Sequence, residues 1–268
     1  MFDRLTLVDD LVNCRGEPVA RRGFVVSPEA ITDAAARAPQ LPREPLADTP
    51  LAEDVPAATR DPVYRHLFHE RAAREAVERA LLSVRLPRAL LDELLAARRA
   101  GATLHAHGFA TAAVAVRMLL SAVGNPPGLP DLAAAALLHD LGMSHLPPRL
   151  LALHERLGPG DAQRILGHPL TGAYHLATLL GNHVAVHAAR SHHWRCGQGY
   201  PGLARPPARS IEVVAVASAF AALTQPRPFR SGAFTARGAA DVLVADAIGG
   251  HADANTVKLL VHALRGGK

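Results

Sequence analysis

Apolar residues change their spacing along the chain near residue 60. Before that point they fall in short runs between turn-forming residues. Leu5-Thr6-Leu7-Val8 and Gly23-Phe24-Val25-Val26 flank Arg15-Gly16-Glu17-Pro18, an arrangement that predicts a hairpin. Ser27-Pro28-Glu29 predicts a helix start, with Ser27 as cap and Pro28 in the first helical position. Residues 38–60 carry five prolines among acidic and small residues, the composition of a linker. After Asp61-Pro62 apolar positions recur every three or four residues. Helices are predicted over 63–84, 86–99, 102–123, 132–138, 161–180, 182–192, 208–224, 236–247 and 254–264, with no strand pattern of useful length beyond residue 62. The expectation is a mainly α protein: a small β-containing module with a Pro-rich linker over 1–60, then an all-α domain over 61–268.

Composition narrows the function classes. The balance of 29 Lys+Arg against 24 Asp+Glu gives a net charge of +5, but only Lys258 and Lys268 are lysines and the arginines are scattered. Aromatic residues that could stack on bases make up 4% of the chain, so no DNA-binding role is expected. The first residues lack the layout of a signal peptide, and the best apolar stretch, Ile211 to Thr224, is too short to span a bilayer and contains Glu212. No membrane role is expected. Two distant cysteines, Cys14 and Cys196, suit a reducing, cytoplasmic setting. The histidines carry more information: eleven of the 15 fall between His105 and His193.

Two segments concentrate metal-binding chemistry. His139-Asp140 closes an Ala-rich buried helix, where an imidazole and a carboxylate can serve one metal while the second carboxylate oxygen bridges to another. His192-His193 precede Trp194-Arg195-Cys196-Gly197-Gln198-Gly199-Tyr200-Pro201. Adjacent histidines on a helix point about 100° apart, so both reach one metal most easily where the helix ends, and the Gly-rich loop ends it.

Together these segments resemble the HD-GYP family, the bacterial phosphodiesterase branch of the HD metal-hydrolase superfamily. The resemblance runs from about residue 97 to the C-terminus. It rests on His107, Leu137-Leu138-His139-Asp140-Leu141-Gly142, His168-Pro169 with Gly172, the pair His192 and His193, and Gly199-Tyr200-Pro201. It continues through Ala215-Val216-Ala217, Ala222-Leu223-Thr224, Arg227-Pro228-Phe229-Arg230 and Gly250-His251-Ala252-Asp253. It implies an HD-type all-α domain, and the N-terminal module is similar to the short β-containing segment that often precedes one. It implies one divalent metal on His107, His139 and Asp140, and another sharing Asp140 with His168, His192 and His193, with iron or manganese expected rather than magnesium or zinc. His139 and Asp140 would be the catalytic pair. Two such ions activate water and polarise phosphoryl oxygens for in-line displacement. The implied substrate is cyclic di-GMP, and Gly199, Tyr200, Pro201 and Arg195 would contact it. Diguanylate-cyclase (GGDEF) proteins are partners of some members.

The chain departs from the family at positions that bear on catalysis. Ser218 stands where the family has a metal-binding Asp, and a hydroxyl is a poor substitute for a carboxylate. Met143 replaces a lysine that would face phosphate, and a thioether cannot do that. The loop after His193 is one residue short, with Cys196 in the place of an Asp. Read without a gap, Ser191 would take the first position of the histidine pair. Ala221 replaces another Asp, and Thr103 stands where a further metal ligand would need Glu. The alternative is therefore a catalytically degenerate domain that binds cyclic di-GMP or a partner as a signalling module. His145 or Cys196 moving into the position of the lost carboxylate would restore the site.

Other residues carry competing readings. His105 rivals His107 as first ligand, though the spacing to His139 favours His107. His183 and His187 are spaced for a metal but read better as helix-surface positions. His154 and His175 read as surface or supporting groups. Tyr174 and Trp194 are either core residues or stacking platforms for guanine, and Arg195 and Arg230 either phosphate contacts or solvated charges. Cys196 is a metal ligand or a small packed side chain.

Overall fold

A computed structural model describes residues 2–152, 158–226 and 232–266. His154 and Arg227–Arg230 lie outside the described residues. The N-terminal module is two nested hairpins. β1 (Leu5–Thr6) pairs antiparallel with β4 (Val25–Val26), with Leu5 opposite Val26. Inside them β2 (Leu11–Val12) pairs with β3 (Pro18–Ala20) around the Arg15-Gly16 turn. α1 (Pro28–Arg37) follows, its first turn capped by the Ser27 hydroxyl, which accepts the Ala30 N–H at 3.2 Å.

The segment expected as a linker is folded. It contains β5 (Arg43–Pro45), two short 3-10 turns and α2 (Asp54–Arg60). Pro50 opens a 3-10 turn and Pro56 lies in the first turn of α2, positions where a missing N–H has no intrahelical partner to lose. Leu46, Leu51 and Val55, spaced between those prolines, are fully buried in the same core as the helical domain. Proline content masked that apolar spacing.

The region expected as one helix over 63–84 is broken. A 3-10 turn leads to α3 (Arg65–Phe68), and α4 (Arg71–Leu82) starts after Glu70 in an extended conformation. The break leaves the Leu67 carbonyl free to accept the buried Arg117 side chain at 2.9 Å, a bond that an uninterrupted helix would replace with a backbone one. A short strand also appears beyond residue 62: β6 (Arg85–Pro87) pairs with β5.

The remaining helices follow the apolar spacing closely, except for a short helix over 148–152 that it does not announce. They are α5 (Arg88–Ala100), α6 (Ala102–Val123), α7 (Leu129–Leu138), α8 (Pro148–Ala152), α9 (Pro159–Leu180), α10 (Val184–Ser191), α11 (Arg209–Thr224), α12 (Ala236–Ile248) and α13 (Ala254–Leu264). α6 is the central element, packed by α2, α4, α5, α7, α11 and α13. Among the described helices it alone is long and apolar enough to cross a membrane, a longer stretch than the Ile211–Thr224 segment picked out from sequence. Its apolarity is that of a core helix, with Phe109 to Val116 and Met118 buried. The architecture is mainly α, with α7, α9, α10 and α11 arranged so that their ends and faces meet beside α6.

Candidate metal centre

Helix ends place the donors. α7 stops at Leu138, so His139 and Asp140 lie just beyond its last turn, and α10 stops at Ser191, releasing His192 and His193. The last four carbonyls of a helix lack intrahelical partners. His139 Nδ1 lies 2.7 Å from the Ala136 carbonyl, and His192 Nδ1 lies 2.9 Å from that of Ala189. His168 reaches the same condition inside α9. Pro169 follows it and has no N–H, so the Ile165 carbonyl four residues back loses its backbone partner and accepts His168 Nδ1–H at 2.6 Å. Three imidazoles are thus fixed with the proton on Nδ1 and the Nε2 lone pair turned inward, the orientation metal-binding histidines need.

The inward atoms converge. His168 Nε2 is 3.2 Å from Nε2 of both His192 and His193. Asp140 splits its oxygens between two sides: Oδ1 lies 3.0 Å from His168 Nε2 and 3.4 Å from His192 Nε2, while Oδ2 lies 3.8 Å from His107 Nε2 and 3.9 Å from His139 Nε2. Two donor groups result, Asp140–His168–His192–His193 and His107–His139–Asp140, each with its ligand atoms within 4.8 Å of one another. Burial drives the His139 pKa down to about 3 and that of His193 well below its ordinary value, so neither relieves the crowding by taking a proton. Burial pushes the Asp140 carboxyl up, but donors or positive charge at the His168 and His192 Nε2 positions outweigh that and hold it well below the usual carboxylate range; where those nitrogens present lone pairs, a cation takes that part. Facing lone pairs around an ionised carboxylate repel one another, and divalent cations remove the repulsion. Imidazole nitrogens with one shared carboxylate suit first-row divalent ions.

Ser218 sits at the open corner of the three-donor group. Its Oγ is 3.1 Å from His139 Nε2 and 3.3 Å from His107 Nε2. The hydroxyl donates to His139, whose Nδ1–H is already committed, and it adds no negative charge. Neither rescue envisaged from sequence occurs. His145 Nε2 instead contacts His175 Nδ1 at 3.0 Å. Cys196 is exposed, belongs to neither donor group, and has its thiol pushed up by burial and by Glu212 and Asp253. Both His192 and His193 enter the four-donor group, and Ser191 does not.

The other histidines turn elsewhere. His105 Nε2 lies 3.0 Å from Asp54 on α2, away from His107's partners. His183 contacts Asp131 and His187 contacts Asn182, so the pair shares no metal. Tyr174 packs on Phe24 of the hairpin rather than at the centre. Met143 lies in the 3-10 turn Leu141–His145, its N–H donating to the Asp140 carbonyl.

Two glycines hold the parts together. A Cβ on Gly142 would lie 2.0 Å from the His168 carbonyl oxygen, so only glycine lets the segment after Asp140 dock on α9. A Cβ on Gly199 would lie 1.7 Å from the His193 carbonyl oxygen. That close approach seats Tyr200, whose ring stacks on His193 at 4.5 Å and meets His168 edge-on. Burial raises the Tyr200 hydroxyl to about 12, so it stays protonated, and Pro201 behind it is buried.

A cleft opens beside His192, His193 and Ser218. Trp194, Arg195, Glu212, Asp246 and Asp253 line it, with Arg195 held 3.6 Å from Asp246. Sequence reasoning missed Glu212 and Asp246, which carry no motif. It also missed the three backbone carbonyls, for which Pro169 and the helix ends were the available signal.

Residues 82–256 match the HD domain family. The chain belongs to the HD domain family. The resemblance to HD-GYP proteins, carried by His107, His139-Asp140, His168-Pro169, His192-His193 and Gly199-Tyr200-Pro201, agrees with this match. One curated relative, 3'3'-cGAMP-specific phosphodiesterase 1 of Vibrio cholerae serotype O1, is 34% identical over 97 residues, which are 35% of this chain and 22% of that protein. The chain thus spans about a fifth of that relative's length. Among solved structures, the HD domain of the L. monocytogenes phosphodiesterase PgpH, in complex with cyclic-di-AMP, aligns with a TM-score of 0.52 at 16% identity, covering 65% of this chain and 94% of that one. An HDG"Y"P protein from Bdellovibrio bacteriovorus aligns with a TM-score of 0.51 at 20% identity, covering 80% of this chain and 69% of that one. These two likenesses show the HD-type all-α fold.

Proposed function

We propose that this HD domain protein is a metal-dependent phosphodiesterase that opens cyclic dinucleotides, with cyclic di-GMP as substrate. The observation that carries the proposal is the pair of donor groups sharing Asp140, one oxygen turned toward each. Bound divalent ions, iron or manganese by this reading, supply the charge that polarises a phosphoryl oxygen and activates water for in-line attack. The chain's own residues prepare that chemistry. Ala136, Ile165 and Ala189 carbonyls fix the imidazole tautomers, and Asp140 stays ionised. Tyr200 covers one side of His193 and His168, while the cleft is lined by His192, His193 and Ser218. Gly199, Tyr200, Pro201 and Arg195 are the proposed substrate contacts. A cytoplasmic setting and recognition by GGDEF-domain proteins belong to the same proposal.

A second reading rests on Ser218 and Met143. With a neutral hydroxyl at one corner and no lysine after Asp140, the domain binds metal and nucleotide as a signalling module without turning nucleotide over. Metal analysis of untagged protein, paired with turnover of cyclic di-GMP under added Mn²⁺ or Fe²⁺, separates the two. Turnover abolished by Asp140→Asn supports the enzyme. Metal binding without turnover, restored by Ser218→Asp with Met143→Lys, supports the signalling module. Absence of both metal and nucleotide binding ends both readings.

A further inference from the structure

Three carboxylates line the cleft beside the metal centre, and two of them are already engaged. Asp246 is paired with Arg195 at 3.6 Å. Asp253 Oδ1 caps α13, accepting the Thr256 N–H at 2.7 Å and its hydroxyl at 2.8 Å. Glu212 is the third. It is half-buried on the first turn of α11, and among the described residues it has neither a hydrogen bond nor an ion pair. Burial and the nearby Asp253 raise its pKa, which a donor pair from a ligand would reverse.

Its position relative to the metal centre is set by α11. Glu212 and Ser218 both face the cleft, six residues apart, so about 9 Å separates their positions along the helix. That is comparable to the reach from a nucleotide's phosphate to the far edge of its base. Trp194 lines the same cleft and supplies an aromatic surface, and Ala215, Val216 and Ala219 give an apolar wall suited to a flat ring.

We propose that Glu212 reads guanine: with a phosphate at the metal centre, its carboxylate accepts hydrogen bonds from the N1–H and the exocyclic amine of the base lying in this cleft. This inference rests on the phosphodiesterase reading above. An ionised carboxylate only accepts. Guanine presents two adjacent donors on that edge, whereas adenine presents one donor and one acceptor, so adenine would leave a lone pair facing a carboxylate oxygen. A site built for hydrogen bonding discriminates strongly because the mismatch leaves buried groups unpaired.

The test is equilibrium binding of cyclic di-GMP, 3'3'-cGAMP and cyclic di-AMP to the full chain loaded with Mn²⁺, repeated with Glu212→Gln and Glu212→Ala. GMP and AMP are titrated in parallel. Wild type is expected to favour cyclic di-GMP over cyclic di-AMP, with cGAMP between or close to cyclic di-GMP. Both variants should lose roughly 10- to 100-fold in affinity for guanine ligands, the value of a charge-assisted hydrogen bond. They should keep the wild-type affinity for adenine ligands and the wild-type metal content. Equal wild-type affinities for guanine and adenine ligands overturn the assignment of Glu212 while leaving the phosphodiesterase reading intact, as does unchanged selectivity in both variants. Wild type that prefers GMP to AMP, with both variants losing that preference, upholds the base subsite even if no cyclic dinucleotide binds, and only the phosphodiesterase reading then falls. Binding of none of the five ligands overturns both.

Discussion

Replacing Ser218 with Asp tests the asymmetry of the centre directly. Asp140, His168, His192 and His193 give one metal four donors, while His107, His139 and Asp140 give the other three. Ser218 Oγ lies 3.1 and 3.3 Å from the two imidazoles of the poorer group, so a carboxylate there completes it without moving another element. Groups that only orient a metal ligand are worth 10- to 100-fold in affinity, and a charged ligand added directly should reach at least the upper figure. A hundredfold gain is about 2.7 kcal/mol at fixed excess metal. For a chain of this size that is a rise of about 5–10 °C in the melting temperature of the loaded protein. Without metal the sign reverses. A second buried carboxylate close to Asp140 lowers apo stability by about 1–3 kcal/mol, because like charges in one site cannot both stay ionised freely. The assay is Mn²⁺ titration with metal counted per chain, alongside thermal melts in chelator and in excess metal. Wild type should take up one ion tightly and a second weakly, and Ser218→Asp should take up two tightly, with its melts moving in opposite directions in chelator and in metal. Two equally tight ions in wild type, or a variant whose second ion binds no better, would refute the reasoning.

Two further outcomes follow from other parts of the molecule. Gly142→Ala puts a methyl 2.0 Å from the His168 carbonyl oxygen and 2.9 Å from Gly172 N, with backbone on both sides, so nothing can rotate away. The variant should lose about 1–3 kcal/mol of stability and bind metal more weakly, because the forced shift separates Asp140 from His168; a melt in chelator and a metal titration check this, and unchanged metal affinity would count against it. Burial lowers the His145 pKa to about 4, and burial together with His145 lowers that of His175 to about 3, both from 6.5. As pH falls below 6.5 the unfolded chain binds protons that the folded pair refuses, so each imidazole removes about 2 kcal/mol of stability between pH 6.5 and about pH 4.5. Denaturant unfolding at several pH values should show a shallower acid loss in His175→Gln than in wild type, and identical slopes would contradict the argument.

The helical half of this fold was legible because its helices bury one stripe each, and burial writes a 3.6-residue period into the sequence. Helices α6, α9 and α11 fall within two residues of their expected limits at either end. The misreadings occurred where a tertiary contact outweighed local pattern. At the break within 63–84, where apolar spacing runs straight through, the Leu67 carbonyl accepts the Arg117 side chain, a partner fifty residues away that no local window contains. Leu46, Leu51 and Val55 were hidden among prolines, of which Pro50 opens a 3-10 turn and Pro56 lies in the first turn of α2.

The site follows the same division. Its donors were visible as residue types, because histidines and a carboxylate clustered far beyond what composition explains have few other uses. What makes them a site is less visible: the carbonyl left unpaired by Pro169, the glycine contact that lets the segment after Asp140 meet α9, and the seating of Tyr200 on His193. Each of these is a backbone property expressed through a neighbouring side chain. A histidine followed by proline inside a helix therefore holds more information than either residue alone. The proline abolishes one hydrogen bond, the histidine takes over its acceptor, and the ring nitrogen that remains is aimed at the metal centre.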